Sequence, residues 1–89
     1  MTYERLKRYR TYKKVLANSE GLNNDITRFS ASETWKIETY INSISDIEIR
    51  AMAMKHFILG ETYIKIGREF HCDRKTVERK IKRYIESCP

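Results

Sequence analysis

The sequence predicts an all-α fold, a small helical domain, from three observations. Three Gly and one Pro supply few tight turns, too few for strands alternating with hairpins. Apolar residues recur every three to four positions, the helical period. Helix-start and helix-stop residues punctuate that period where one helix would give way to the next. At 89 residues the chain fits one domain (1–89) with a modest core.

The first helix is expected from about Tyr3 to Ala17, where Leu6, Tyr9, Tyr12 or Lys13, and Leu16 repeat between charges. The stretch NSEGLNND (18–25) carries Asn and Gly and reads as a loop, closing a basic N-terminal part, 1–30. Ser30 and Glu33 have the spacing of a capping box, in which each side chain satisfies the other's free backbone N–H. A packing helix over roughly 31–43 is expected to follow, with Trp35, Tyr40, Ile41 and Ile44 as its apolar residues. Ser45 and Glu48 repeat the capping spacing, and Asp46 adds negative charge to the first turn. The helix they open, DIEIRAMAMKHFIL, stops at Gly60. Its apolar residues (Ile47, Ala51, Met54 and Ile58, with Ile49, Met52 and Phe57) cover more than one face, which predicts a central, largely buried helix.

The net charge of +6 is unevenly spread: residues 1–18 carry +5, residues 19–61 carry −3 and residues 62–89 carry +4. Basic ends around an acidic middle suit a polyanion partner, and equally an acidic protein surface.

Other function classes find little support. No apolar run approaches the roughly 18 residues of a membrane span, and MTYERLKRYR has no apolar signal core, so a cytoplasmic protein without a membrane partner is expected. Cys72 and Cys88 do not make a disulfide framework. A zinc site from His56, His71, Cys72 and Cys88 would need adjacent ligands that point apart, and no metal-ligand spacing occurs, so no metal is expected. His56 reads as a core or rim residue. There is no glycine-rich phosphate loop and no nucleophile paired with a base. The expectation is no enzyme and no cofactor.

The C-terminal stretch is the informative one. A short helix is expected from about Thr62, its N-cap, to Phe70, and HCD then interrupts it. Asp73 caps a second helix running to about Glu86. Helix, three-residue turn, helix is the layout of a helix-turn-helix over 46–86, taken with the helix before it. Ile66, Phe70, Cys72, Val77 and Ile81 have the spacing to pack the two helices together, with Gly67 at their close approach. At 100° per residue, Val77, Ile81, Tyr84 and Ile85 share a face, while Lys75, Arg79 and Lys82 fall roughly 140° to 200° away. Glu78 is the one acid near that cationic arc.

ETYIKIGREFHCDRKTVERKIKRYI resembles the helix-turn-helix of bacterial sigma-factor region four and of small phage regulators of the ArpU and RinA type. DIEIRAMAMKHFILGETYIKIG resembles the helix those families place before it, so the likeness spans residues 46–85. Thr62 and Tyr63 match the residues that open the support helix. Arg74, Lys75, Thr76 and Arg79 match the exposed, base-reading start of the recognition helix. Two positions depart: His71 stands where a turn glycine is common and is expected to be left-handed, and Lys80 stands where an apolar residue is common, with Ile81 taking the core role.

The resemblance and the cationic arc together imply a sequence-specific, double-stranded-DNA-binding regulator from a phage or mobile element. Arg74 and Arg79 are the candidates for bidentate reading of guanine, Lys75, Lys82 and Arg83 for holding phosphates, and Thr62 and Lys65 for anchoring the support helix. Asp73, Thr76 and Glu78 complete the candidate interface. Two alternatives stay open: a module that binds RNA polymerase or another host protein through the same scaffold, and a terminase small-subunit-like packaging adaptor. A homodimer through Tyr3, Leu6, Tyr9 and Tyr12 is one use for those residues, and covering the core is the other.

Overall fold

The computed structural model describes residues 1–18 and 24–87, and among these every regular element is helical. The order is α1 (Tyr3–Lys7), α2 (Tyr9–Asn18), α3 (Asp25–Asn42), α4 (Ile47–Ala53) continued by a π-helical turn (Met54–Ile58), α5 (Tyr63–Glu69) and α6 (Arg74–Ser87). Counting α1–α2 as one interrupted helix, and α4 with its π-turn as another, the described residues form five helices.

The expected first helix is broken at Arg8, whose N–H is shared between the carbonyls of Arg5 and Leu6. Leu6 and Tyr9 flank the break, and both are buried in the core, so neither is free to line a dimer seam. Burial and a 2.6 Å hydrogen bond to Glu38 push the Tyr9 phenol well above its ordinary pKa. Of the expected loop 18–25, residues 19–23 lie outside the described residues, while Asn18 ends α2 and Asn24 and Asp25 begin α3.

The helix expected over 31–43 starts six residues earlier. The Asn24 side chain accepts from the Thr27 N–H at 2.9 Å, and Asp25 places a carboxylate in the first turn. Ser30 is therefore not a cap: it is buried within α3, on one stripe with Thr34, Ile37 and Ile41. Glu33 does not cap either. It accepts a two-pronged contact from Arg5, Nη2 to Oε2 at 2.9 Å and Nε to Oε1 at 3.3 Å, which ties α1 to α3. Trp35 is 66 % exposed, because it lies nearly opposite Ile37 on the helix.

A second capping expectation also shifts. Asp46, not Ser45, caps α4, accepting from the Ile49 N–H at 3.0 Å. Glu48 instead meets Lys80 of α6 at 2.8 Å. Ile47 is 73 % exposed, so the burial expected for this helix falls on Met52, Ala53 and Phe57. The last turn widens to i→i+5 bonding, Leu59 N–H to the Met54 carbonyl at 3.1 Å, and Gly60 at φ 76° ends it.

The core joins Leu6 and Tyr9 to Ile37, Ile41 and Ile44 of the α3 region, to Met52, Ala53 and Phe57, and to Ile66, Val77, Ile81 and Ile85 of the last two helices. Phe70 and Cys72 pack at its margin. Lys55 at 2.8 Å from Glu69 ties the π-turn to α5, raising the Lys55 pKa and lowering that of Glu69.

Candidate nucleic-acid interface

The pair α5 and α6 is set by its connection. Thr62 caps α5, its hydroxyl accepting from the Lys65 N–H at 3.2 Å. After Glu69, the Cys72 N–H turns back to the Gly67 carbonyl at 2.8 Å, and His71 sits at φ 57°, the left-handed conformation expected of it. Gly67 is buried, and a Cβ there would stand 2.5 Å from the Cys72 carbonyl oxygen. The close approach expected at Gly67 is therefore made to the connecting backbone. The Asp73 carbonyl accepts from Thr76 and Val77, opening α6, while Asp73 itself is exposed.

With Val77, Ile81 and Ile85 buried, the remaining faces of α6 are fixed. Arg74, Lys75, Arg79 and Arg83 are exposed, and Thr76 is half-buried. Among the described residues no carboxylate pairs with any of these four cations. Lys75, Arg79, Lys82 and Arg83 line one open groove along the helix together with Glu78 and Glu86. Glu78 is therefore not the one acid near the cationic arc, as expected: Glu86, nine residues after Val77, falls at 180° on the same face.

Lys82 and Lys65 are less independent. Lys82 pairs with Glu78 at 3.0 Å, and that hydrogen bond, reinforced by the carboxylate's charge, raises its pKa. Its Nζ also stands 4.8 Å from the centroid of the Tyr3 ring. Lys65 pairs with Glu61 at 3.5 Å with its side chain 65 % exposed. Lys80, the departure from the resembled pattern, is exposed and holds Glu48, while Ile81 is buried beside it.

A second groove runs between the starts of α5 and α6, lined by Thr62, Tyr63, Ile64, Arg74, Lys75 and Glu78, with His56 beneath. The His56 Nδ1 lies 2.8 Å from the Glu61 carbonyl, which can only accept, so Nδ1 carries the hydrogen. The ring stacks on Tyr63 at 3.8 Å between centroids. Burial lowers the His56 pKa despite the Glu61 carbonyl and the charge of Glu78. Of the core and rim positions expected for it, His56 is half-buried at the rim, and its ring is engaged by backbone and aromatic neighbours. Among the described residues no three His, Cys, Asp or Glu side chains gather as metal ligands, and Cys88 lies outside them.

Two contributors escaped the sequence reading. Ile64 is 49 % exposed in the groove beside Arg74, on a helix whose period alone marks it as ordinary. Tyr3 bonds hydroxyl to hydroxyl with Tyr63 and lies under Lys82, across sixty residues of chain, where no local pattern signals a contact. Among the described residues no helix is long and apolar enough to cross a membrane. No protein-family model, curated protein or solved structure matches the chain.

Proposed function

We propose that this chain is a sequence-specific, double-stranded-DNA-binding regulator of transcription of phage or mobile-element type, with α5 and α6 serving as a helix-turn-helix. The observation that carries the reading is the sidedness of α6. Val77, Ile81 and Ile85 are buried, while Arg74, Lys75, Arg79 and Arg83 project outward without carboxylate partners among the described residues. A cationic helix face held on a packed inner face suits entry into the major groove, where arginine forks read guanine and lysines hold phosphates. Arg74 and Arg79 read bases in this arrangement. Lys75, Lys82 and Arg83 hold the backbone, and the exposed Thr62 and Lys65 anchor the start of α5. Ile64 lines the groove at the height of Arg74, placed for apolar contact with a thymine methyl.

Selection of bound sequences from random duplexes tests the proposal: enrichment of a defined site supports it, and recovery without enrichment removes sequence-specific reading. A second reading draws on exposed Trp35, Ile47 and Phe29, apolar residues suited to RNA polymerase or another host protein. Capture of such a partner by a chain that ignores duplex DNA at low salt would favour it.

A further inference from the structure

Resting on the reading of α6 as the DNA-binding helix, we propose that the basic N-terminal helices α1 and α2 form a second, sequence-independent surface for the DNA backbone, continuous with α6. The junction is Tyr3. Its ring has the Lys82 ammonium 4.8 Å from its centroid on the α6 side and the Lys7 ammonium 5.6 Å away on its own helix. The Tyr3 hydroxyl bonds to that of Tyr63, which locks α1 beside the start of α5. Lys7 and Arg10 then line one groove with His56 and Gly60. Arg10 continues into the next groove, which it shares with Lys13 and Lys14. The guanidinium of Arg10 occupies the space over Gly60, where a Cβ would collide with it. Lys82, Lys7, Arg10, Lys13 and Lys14 thus form one cationic strip from α6 to the far part of α2.

The chemistry of the strip fits phosphates better than an acidic protein. The grooves that hold Lys7, Arg10, Lys13 and Lys14 are floored by the core residues Leu6, Tyr9 and Phe57 and by part-buried Ile58. None of the exposed large apolar residues Ile26, Phe29, Trp35 and Ile47 lines them. A protein interface needs an apolar centre, whereas a DNA backbone needs only cations on extended stems. Two acids near the strip pair with its own cations, Glu4 with Lys7 at 3.8 Å and Glu78 with Lys82 at 3.0 Å, and Glu38 accepts from Tyr9. This leaves Arg10, Lys13 and Lys14 without a carboxylate partner among the described residues. What α4 and its cap contribute beside α6 is acidic: Asp46 and Glu48 line the groove there and Glu48 holds Lys80, while Arg79 and Arg83 also line the groove of Lys75 and Lys82. The backbone outside the major-groove site therefore runs along α1–α2 and not along α4.

The test compares three full-length proteins on a duplex of about three helical turns, roughly 30 base pairs. These are wild type, the Lys7→Gln/Lys14→Gln pair, and the charge-matched Lys36→Gln/Arg50→Gln pair on α3 and α4. The N-terminal pair is expected to lower the log–log salt slope by about two units, at about 0.9 per phosphate contact. It should also weaken preferred and scrambled duplexes by the same factor. The control pair is expected to leave the slope within about half a unit. Equal shifts in both pairs would reduce the effect to net charge and overturn the inference, as would an unchanged slope in the N-terminal pair while wild type binds well. A wild-type protein that binds no duplex would overturn the DNA-binding reading itself. Unchanged circular-dichroism melting in both pairs, all four cations being at least partly exposed, excludes unfolding as the cause.

Discussion

Gly67 and Cys72 grip each other through backbone alone: the Cys72 N–H donates to the Gly67 carbonyl at 2.8 Å, and the Cys72 carbonyl oxygen lies 2.5 Å from the position of a Gly67 Cβ. The obstacle is main chain, which cannot rotate aside as a long side chain would. Gly67→Ala is therefore expected to destabilise by about 1–3 kcal/mol, the range for forcing a methyl into packed structure. It should weaken DNA binding further by displacing the start of α6. Urea denaturation checks the first effect, and binding measured well below the unfolding midpoint checks the second.

Val77 joins α6 to the rest and has no exposed surface. Val77→Asp buries a carboxylate without a partner in a domain whose total stability is about 5–10 kcal/mol. The variant is expected to be largely unfolded at 25 °C, and a melting temperature equal to wild type would show that this helix is not packed as described.

On the DNA-binding reading, Arg79 and Lys82 would separate reading from holding. Arg79 is exposed and without a carboxylate partner among the described residues, whereas Lys82 sits between Glu78 and the Tyr3 ring. Arg79→Ala is expected to lose about 1–3 kcal/mol on the preferred site and to relax preference at one or two base pairs. Arg79→Lys should lose the same preference, since an ammonium cannot make the planar fork. Lys82→Ala should weaken all duplexes alike and reduce the salt slope by about one unit. An unchanged preferred-to-scrambled ratio in Arg79→Ala would set aside α6 as the reader.

On the DNA-binding reading, Glu78 would repel the same phosphates that Lys82 would hold. Removing its charge in Glu78→Gln frees Lys82 and lifts a repulsion, so affinity should rise on preferred and scrambled duplexes together, with a steeper salt dependence. A fall in affinity would mean that Glu78 orients Lys82 for binding instead of competing for it.

His56 makes stability depend on pH. Burial holds its pKa below the ordinary 6.5, so the unfolded chain takes up the proton first as pH falls. The stability that the neutral ring contributes is full above about pH 6.5 and is lost as pH drops through the folded-state pKa. Melting temperature should therefore decrease from pH 7.5 to pH 5.5 more steeply in wild type than in His56→Asn, whose amide can still donate to the Glu61 carbonyl. Parallel decreases in the two proteins would assign the effect to other groups.

Features that depend on short-range periodicity and on single backbone positions were legible in the residues alone. The all-helical composition follows from spacing and from scarce Gly and Pro. The inner face of α6 follows from the 100° step, which placed Val77, Ile81 and Ile85 together. Gly60 and His71 take the left-handed conformations that their positions implied, because the backbone must reverse there whatever surrounds it. Competing local signals were resolved by long-range packing. Ser30 and Glu33 satisfy the capping pattern as well as Asn24 does. But the Arg5 fork draws Glu33 away and burial takes Ser30, so α3 begins six residues earlier. Glu48 likewise left its cap for Lys80. Leu6 and Tyr9 had two uses open to them until packing against α3 and the π-turn buried both. The juxtaposition of Tyr3 with Tyr63 and Lys82, on which the cationic strip depends, joins residues sixty and more positions apart. Such contacts depend on how helices cross, and a pattern that repeats every few residues carries no record of that.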